Sequence, residues 1–372
     1  MERNSPFNNK KAVLFSVLAV ATALLYFYNA KAITAGVKDG LAVCANAVIP
    51  SLFPFMIFAS FLVQSKLSDT LSRPFSAFTR RVLHLPVYTG AVFLLSLIGG
   101  YPVGARAIAQ LCQEKRLSTK TAARMLCFCV NAGPAFLISA VGLKMLNNYK
   151  AGVVILISQT LASIIIGCIL GLSYPKDDDS HAYEKADAVS PSLADSFVLA
   201  VTNAAKGIFN ICAFVITFSA ILALVKSLPF IKELYALSSN NWHAGAQAAF
   251  TGFFEVTLGC ISAAKVSGTP AIILTSALCS FGGCSVICQT VSCFSGLSVR
   301  MTPYLISRGV HMVLSCLFAF GLTHLFPDTV TTFSFTQSPI MVHNLSGTPI
   351  AACALLLLCA ALILFRKDKI FL

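Results

Sequence analysis

GAVFLLSLIGGYPVGARAIAQLC, residues 90–112, and AARMLCFCVNAGPAFLISAVGLKML, residues 122–146, are joined by a short basic linker. Both stretches are apolar enough for lipid, and both are interrupted. Gly99, Gly100, Pro102 and Gly104 break the first in its middle, with Arg106 close by; Asn131, Gly133 and Pro134 break the second. In water such breaks would be ordinary turns. In a bilayer they free backbone N–H and C=O groups, which is tolerated only where the segment is buried in protein or lines a cavity. Paired broken segments of this kind point to a transporter's binding site.

The rest of the chain suits the same solvent. Of 372 residues, 57% are hydrophobic and only 11% are charged, with a mean hydropathy of +0.80, whereas soluble domains carry about 25% charged residues. The composition is that of an all-α polytopic membrane protein. The net charge of +13 does not mark a nucleic-acid binder, because the basic residues sit in short loops between apolar spans, where Lys and Arg set topology. Most of the 14 cysteines lie inside apolar runs without His or carboxylate neighbours, and no C-x-x-C pair occurs. They read as small buried hydrophobes, so neither a metal nor a cofactor is expected. No H-E-x-x-H, P-loop or strand-borne G-x-G-x-x-G is present, so no enzyme and no ATP-driven pump is expected.

About eight transmembrane helices are expected, at 12–28, 40–63, 126–144, 152–172, 197–224, 270–294, 303–326 and 350–365. Pro50 and Pro54 should bend or split the second. The domain reading follows: a retained signal-anchor helix in 1–39, a first repeat over 40–173, an acidic cytoplasmic linker at 174–195, a second repeat over 196–326, and a loop and final helix in 327–372. The segments 90–112 and 246–264 are read instead as re-entrant helical hairpins. If 90–112 crossed the membrane, the next loop, with Lys115, Arg116, Lys120 and Arg124, would lie outside, against the positive-inside rule. Hairpins dipping from opposite faces keep both termini in the cytoplasm and every arginine at or near that side. Two inverted repeats emerge, in which Gly100–Arg106 (GYPVGAR) aligns with Gly259–Lys265 (GCISAAK).

GGYPVGAR, FCVNAGPAFLISAVG, SFGGCSVICQ and YLISRGVHMVLS resemble the sporulation integral membrane proteins of the YlbJ type. Those belong with the nucleoside-recognition or Gate-domain proteins, which look distantly related to concentrative nucleoside transporters. The resemblance covers roughly residues 40–325. It implies a transporter-like fold in the membrane of a spore-forming bacterium, in a sporulating cell the outer forespore membrane, and the movement of dipicolinic acid toward the forespore.

The expected substrate site draws on Ser96, Gly100, Tyr101, Pro102, Gly104, Arg106, Asn131, Gly133, Glu255, Gly259, Gly282 and Gly283. Half-helix N-termini at the hairpin tips would attract a small anionic solute. Arg106 would either grip its carboxylate or snorkel to the cytoplasmic surface. Glu255, with no basic residue within nine positions, would carry a coupling proton, bind solute, or cap its own hairpin, since intramembrane carboxylates are functional by default. Arg308 and His311, three apart on one helical face, read as interface anchors, with substrate contact as the alternative. Two other functions stay open, a carrier of nucleoside-like solutes and a non-transporting sporulation scaffold. The coupling ion and any homo-oligomer also stay open.

Overall fold

A computed structural model describes residues 16, 17, 20, 23–65, 73–173, 192–236 and 241–327, and every regular element among them is helical. Most of the expected first span (12–28), the acidic linker up to Pro191, and the final loop and span beyond Pro327 lie outside the described residues. Among those described, five helices are long and apolar enough to cross a membrane: Ala30–Leu62, Tyr149–Ser173, Leu193–Ser227, Thr269–Cys293 and Thr302–Leu325.

The first long helix joins α1 (Ala30–Val43) to α2 (Ile49–Gln64) through a π-helical turn at Cys44–Val48. The expected split at Pro50 and Pro54 does not occur. The π turn adjusts the helix just ahead of Pro50. The Asn46 carbonyl, four residues before that proline and so deprived of its usual N–H partner, accepts from Lys144 Nζ at 2.8 Å.

Two helical hairpins follow a common plan. In the first, α3 (Thr89–Gly99) and α4 (Tyr101–Gln113) turn at Gly100, whose φ is 84°. Its feet touch: the Tyr88 hydroxyl donates to the Arg116 carbonyl, and the Arg116 guanidinium lies 5.3 Å from the Tyr88 ring centroid. The chain therefore leaves this hairpin beside the point where it entered. In the second, α9 (Asn241–Phe254) and α10 (Val256–Ala263) turn at Glu255 in extended backbone.

Each hairpin is followed by a broken helix. The expected span 126–144 is broken where Asn131, Gly133 and Pro134 predict. α5 (Thr119–Leu126), capped by the Ser118 hydroxyl on Thr121 N–H, gives way to a non-helical stretch from Val130 to Gly133 before α6 (Ala135–Met145) begins. In the other half, α11 (Thr269–Phe281) and α12 (Gly283–Cys293) meet at Gly282 and Gly283, with φ of 86° and 70°. Long helices close each half: α7 (Tyr149–Ser173), entered by a tight turn at Asn147 and Asn148, and α13 (Thr302–Leu325). Asn148 Oδ1 starts α7 by accepting from Ala151 N–H.

α8 (Leu193–Ser227) lies along α1 and α2, and α7 packs on α13. The core fills the space between hairpins and breaks, where Phe128, Ile108, Met125, Leu137 and Ile272 are buried and Phe93 meets Phe128 edge-on at 5.8 Å. Outward faces are apolar too: on α13, Ile306 is 65% and Leu317 61% exposed. In water that face would drive association; in lipid it is the solvent-matched surface.

Candidate functional site

The hairpin arms close because small residues face each other. A Cβ on Gly104 would lie 2.0 Å from the Cys129 carbonyl oxygen and 2.6 Å from Ser96 Cβ; a Cβ on Gly259 would lie 2.3 Å from Gly252 Cα. Each tip also seats on the break of its own half. A Cβ on Gly133 would lie 3.0 Å from the Ile98 carbonyl and 3.1 Å from Gly100 N, and one on Gly283 would lie 2.6 Å from the Gly252 carbonyl. No side chain fits at these contacts. Across the halves, the Tyr101 hydroxyl donates to the Cys279 carbonyl of α11.

Both tips line one cavity of about 30 Å³, room for a water or two, since one water needs about 10–15 Å³ of such space. The first half contributes Gly99, Gly100, Tyr101, Pro102 and Gly133; the second contributes Glu255, Val256, Thr257, Val286 and Gln289. Val48, Leu52 and Met56 of the first long helix, Phe136, and Ile211 and Val215 of α8 form an apolar wall. The N-termini of α4 and α10 both end here: that of α4 brings partial positive charge with no side-chain cap, and that of α10 is capped by Glu255.

Glu255 is the charged side chain among these lining residues. It is 1% exposed and caps α10: Oε2 accepts from Leu258 N–H at 2.7 Å, and the Thr257 N–H and hydroxyl interact with the same carboxylate. Oε1 is buried with no hydrogen-bond partner.

The other expected site residues lie outside the cavity lining. Arg106 stands in a hollow of about 350 Å³ that it shares with Lys206, Gln64 and Gln110, and borders a second of about 630 Å³ with Glu114 and Ser292. Its guanidinium lies over Gly207 of α8, 2.6 Å from where a Cβ would sit, with Met56 beside it. Met56 lines both the hollow and the tip cavity and so separates them. Ser96 and Gly104 form the seam of the first hairpin, Gly259 that of the second. Gly282 makes the kink in the broken helix, and Gly283 packs there on the second hairpin. Asn131 is buried and braces the first break, donating to the Phe128 carbonyl at 2.8 Å and to Ser163 Oγ at 3.2 Å.

The tip of the second hairpin is Glu255, which moves the correspondence between the halves. Gly100 stands opposite Glu255, and Gly104 opposite Gly259, four residues from the register expected in the sequence. Lys265 is then not beside the tip. It lies past the end of α10, where its charge interacts with Lys226 at the end of α8. Sequence reasoning missed Thr257, Val286 and Gln289, and the apolar wall of α2 and α8. Thr257 and Gln289 carry a weak signal as polar residues inside apolar runs; the wall carries none.

Arg308 and His311 are 1% and 0% exposed. Arg308 Nη1 donates to the Val130 carbonyl at 2.7 Å and the Ser280 carbonyl at 3.4 Å, and Nη2 to the Cys127 carbonyl at 3.0 Å. His311 contacts the Ser280 carbonyl through Nδ1 at 3.3 Å and the Gln159 carbonyl through Nε2 at 3.0 Å. They anchor the interior of the fold, joining the breaks of both halves.

No family model matches the chain, and no solved structure matches it. Its sequence is similar to the sporulation integral membrane protein YlbJ of Bacillus subtilis (strain 168), with 25% identity over 312 residues that cover 76% of this chain and 75% of that protein. The chain is thus a multi-pass membrane protein and a distant relative of the YlbJ-type sporulation integral membrane proteins, the family its broken segments resemble.

Proposed function

We propose that the chain is a secondary transporter of a small anionic molecule, with dipicolinate, the solute the family resemblance implies, as the first candidate. The observation that carries this reading is the convergence of both hairpin tips, with residues from both broken helices, on a single small cavity. Each half runs long helix, hairpin, broken helix, long helix. Three crossings stand between the hairpins (the broken helix α5–α6, then α7 and α8), and an odd number inverts the second half relative to the first. Re-entrant hairpins meeting from opposite faces follow, with the site near the midplane. At about 30 Å³ the cavity is too small for an aromatic dicarboxylate, which enters only when the tips part.

The uncapped N-terminus of α4 at the cavity favours a carboxylate, and Arg106 with Lys206 concentrates anions in the hollow before it. Glu255 would repel the same anion unless it holds a proton. Burying it charged, with Oε1 unpaired, costs several kcal/mol, so proton and anion move together. A second reading rests on the same carboxylate: with Thr257 and Gln289 it makes a hydrogen-bonding set suited to an uncharged, hydroxylated solute such as a nucleoside. Proteoliposomes loaded against labelled dipicolinate and, separately, labelled nucleosides decide. Flux of dipicolinate that grows with an inward proton gradient supports the first reading, flux of nucleosides alone supports the second, and no flux of either leaves a scaffold.

A further inference from the structure

We infer that the Arg308 guanidinium is a built-in cation: it fills an oxygen cage, made by the broken helices of both halves, that would otherwise take a monovalent metal ion. This rests on the transporter reading for its consequence, sodium-independent transport, but the cage itself can be tested without any flux.

When α5 stops and the chain unwinds, the carbonyls of Cys127 and Val130 lose their helical partners; when α11 stops at Gly282, so does that of Ser280. Such half-helix C-termini carry partial negative charge. Where two of them meet inside a transporter, unwound carbonyls commonly coordinate a sodium ion. Here all three oxygens lie within 3.4 Å of the two terminal nitrogens of one guanidinium. The guanidinium also faces the Tyr304 ring, 5.2 Å from its centroid, a further site of negative potential.

Among the described residues only these groups meet the cation's charge. Arg308 is 1% exposed, and no carboxylate among the described residues pairs with it. The charge is held by backbone oxygens and a ring, which is the coordination offered to a metal cation and not that of an ordinary buried ion pair. Its donors reach one half through Cys127 and Val130 and the other through Ser280. The cage is thus shared between the halves, with the His311 ring lying between the Ser280 carbonyl and the Gln159 carbonyl of α7.

The test is thermal unfolding of the purified full chain in detergent, in sodium, potassium and choline chloride at equal ionic strength. Wild type should melt at the same temperature in all three salts. Arg308→Ala should melt lower in choline and recover in sodium, or in millimolar guanidinium chloride, which returns the missing group. Arg308→Lys, which keeps a charge in the cage, should fold and stay insensitive to the salt. A wild type stabilised by sodium over choline overturns the proposal, as does an Arg308→Ala protein that responds alike to every cation. Should Arg308→Ala not be recovered from the membrane, the lysine variant decides: its loss as well means the site demands the shape of arginine and not a cation. Sodium-dependent flux by wild-type proteoliposomes would also overturn the inference, whereas absence of any flux counts only against the transporter reading.

Discussion

The two hairpins share an architecture and differ at one residue. Both fold on a seam of small side chains, Ser96 against Gly104 and Gly252 against Gly259, and both seat their tips on a break in the following helix. The first turns at Gly100 with φ of 84° and presents the N-terminus of α4 bare, with no side-chain cap. The second turns at Glu255, whose carboxylate caps the N-terminus of α10. One tip therefore offers donors and partial positive charge, and the other an acceptor that can carry a proton. The difference teaches that the site is not symmetric even where the backbone nearly is. Under the proposed transport function, a solute between the tips would meet an anion-attracting end and a proton-accepting end.

The largest expected effect falls on what the hairpins share. Gly104→Ala would push a methyl to 2.0 Å from the Cys129 carbonyl, and Gly259→Ala to 2.3 Å from Gly252 Cα, both against backbone that cannot swing aside. Each substitution is expected to destabilise by roughly 3 kcal/mol or more, the upper range of overpacking, read as a lowered melting temperature in detergent or loss of the protein from the membrane. Wild-type stability in Gly104→Ala would mean that the first hairpin does not seat on the chain at Cys129, and in Gly259→Ala that the arms of the second do not close on each other.

The next prediction separates the tips. Glu255→Gln keeps an oxygen for Leu258 N–H, so the protein should fold and melt near the wild type. It removes the proton site, so proton-driven flux should fall about tenfold or more, a change of ~1.4 kcal/mol or greater. Glu255→Ala should lose the same flux and about 1 kcal/mol of stability besides, the usual worth of an N-cap. If Glu255→Gln carries solute at the wild-type rate and with the same response to a proton gradient, the carboxylate is only a cap.

How far the sequence goes also differs between the hairpins. Gly99-Gly100 followed by Tyr101-Pro102 announces the first turn, because glycine supplies the positive φ and proline suits the first turn of the next helix. Asn147 and Asn148 announce theirs in the same way. The second turn has no glycine or proline at its tip. It is made by extended backbone and a capping carboxylate inside FFEVTLG, so Gly259, a seam residue, looks like the turn and shifts the register. Pro50 looked like a break for want of two things the sequence hides, the π turn before it and the lysine 98 positions away that takes the Asn46 carbonyl. Arg308 read as an anchor, but its partners are backbone carbonyls 178 and 181 positions away, exposed only because another helix unwinds.

A smaller effect belongs to Arg106, which the sequence sets beside the first tip and the fold sets in the hollow beyond Met56. Arg106→Ala should raise the solute concentration for half-maximal flux a few-fold and leave the maximal rate nearly intact. The loss should shrink at high salt, where screening already weakens attraction of an anion. A collapse of the maximal rate, comparable to that of Glu255→Gln, would put the guanidinium in the site itself and erase the distinction between tip and hollow.

The smallest effect tests whether the glycines of the seams are special or whether this chain simply uses glycine throughout. Gly309 lies in α13, next to Arg308, and a Cβ there would meet no atom within 4 Å. Gly309→Ala should therefore stabilise the helix by roughly 0.5–1 kcal/mol, since alanine is the better helix former and nothing has to move. The residues around it, Ile306 and Val310, point outward at 65% and 46% exposed, which makes the outcome informative in either direction. A rise in melting temperature means the face meets lipid alone and the seam glycines are where the fold needs close approach. A fall, with no described residue in contact there to explain it, means that another helix packs against α13 at Gly309, in the way small residues let membrane helices meet.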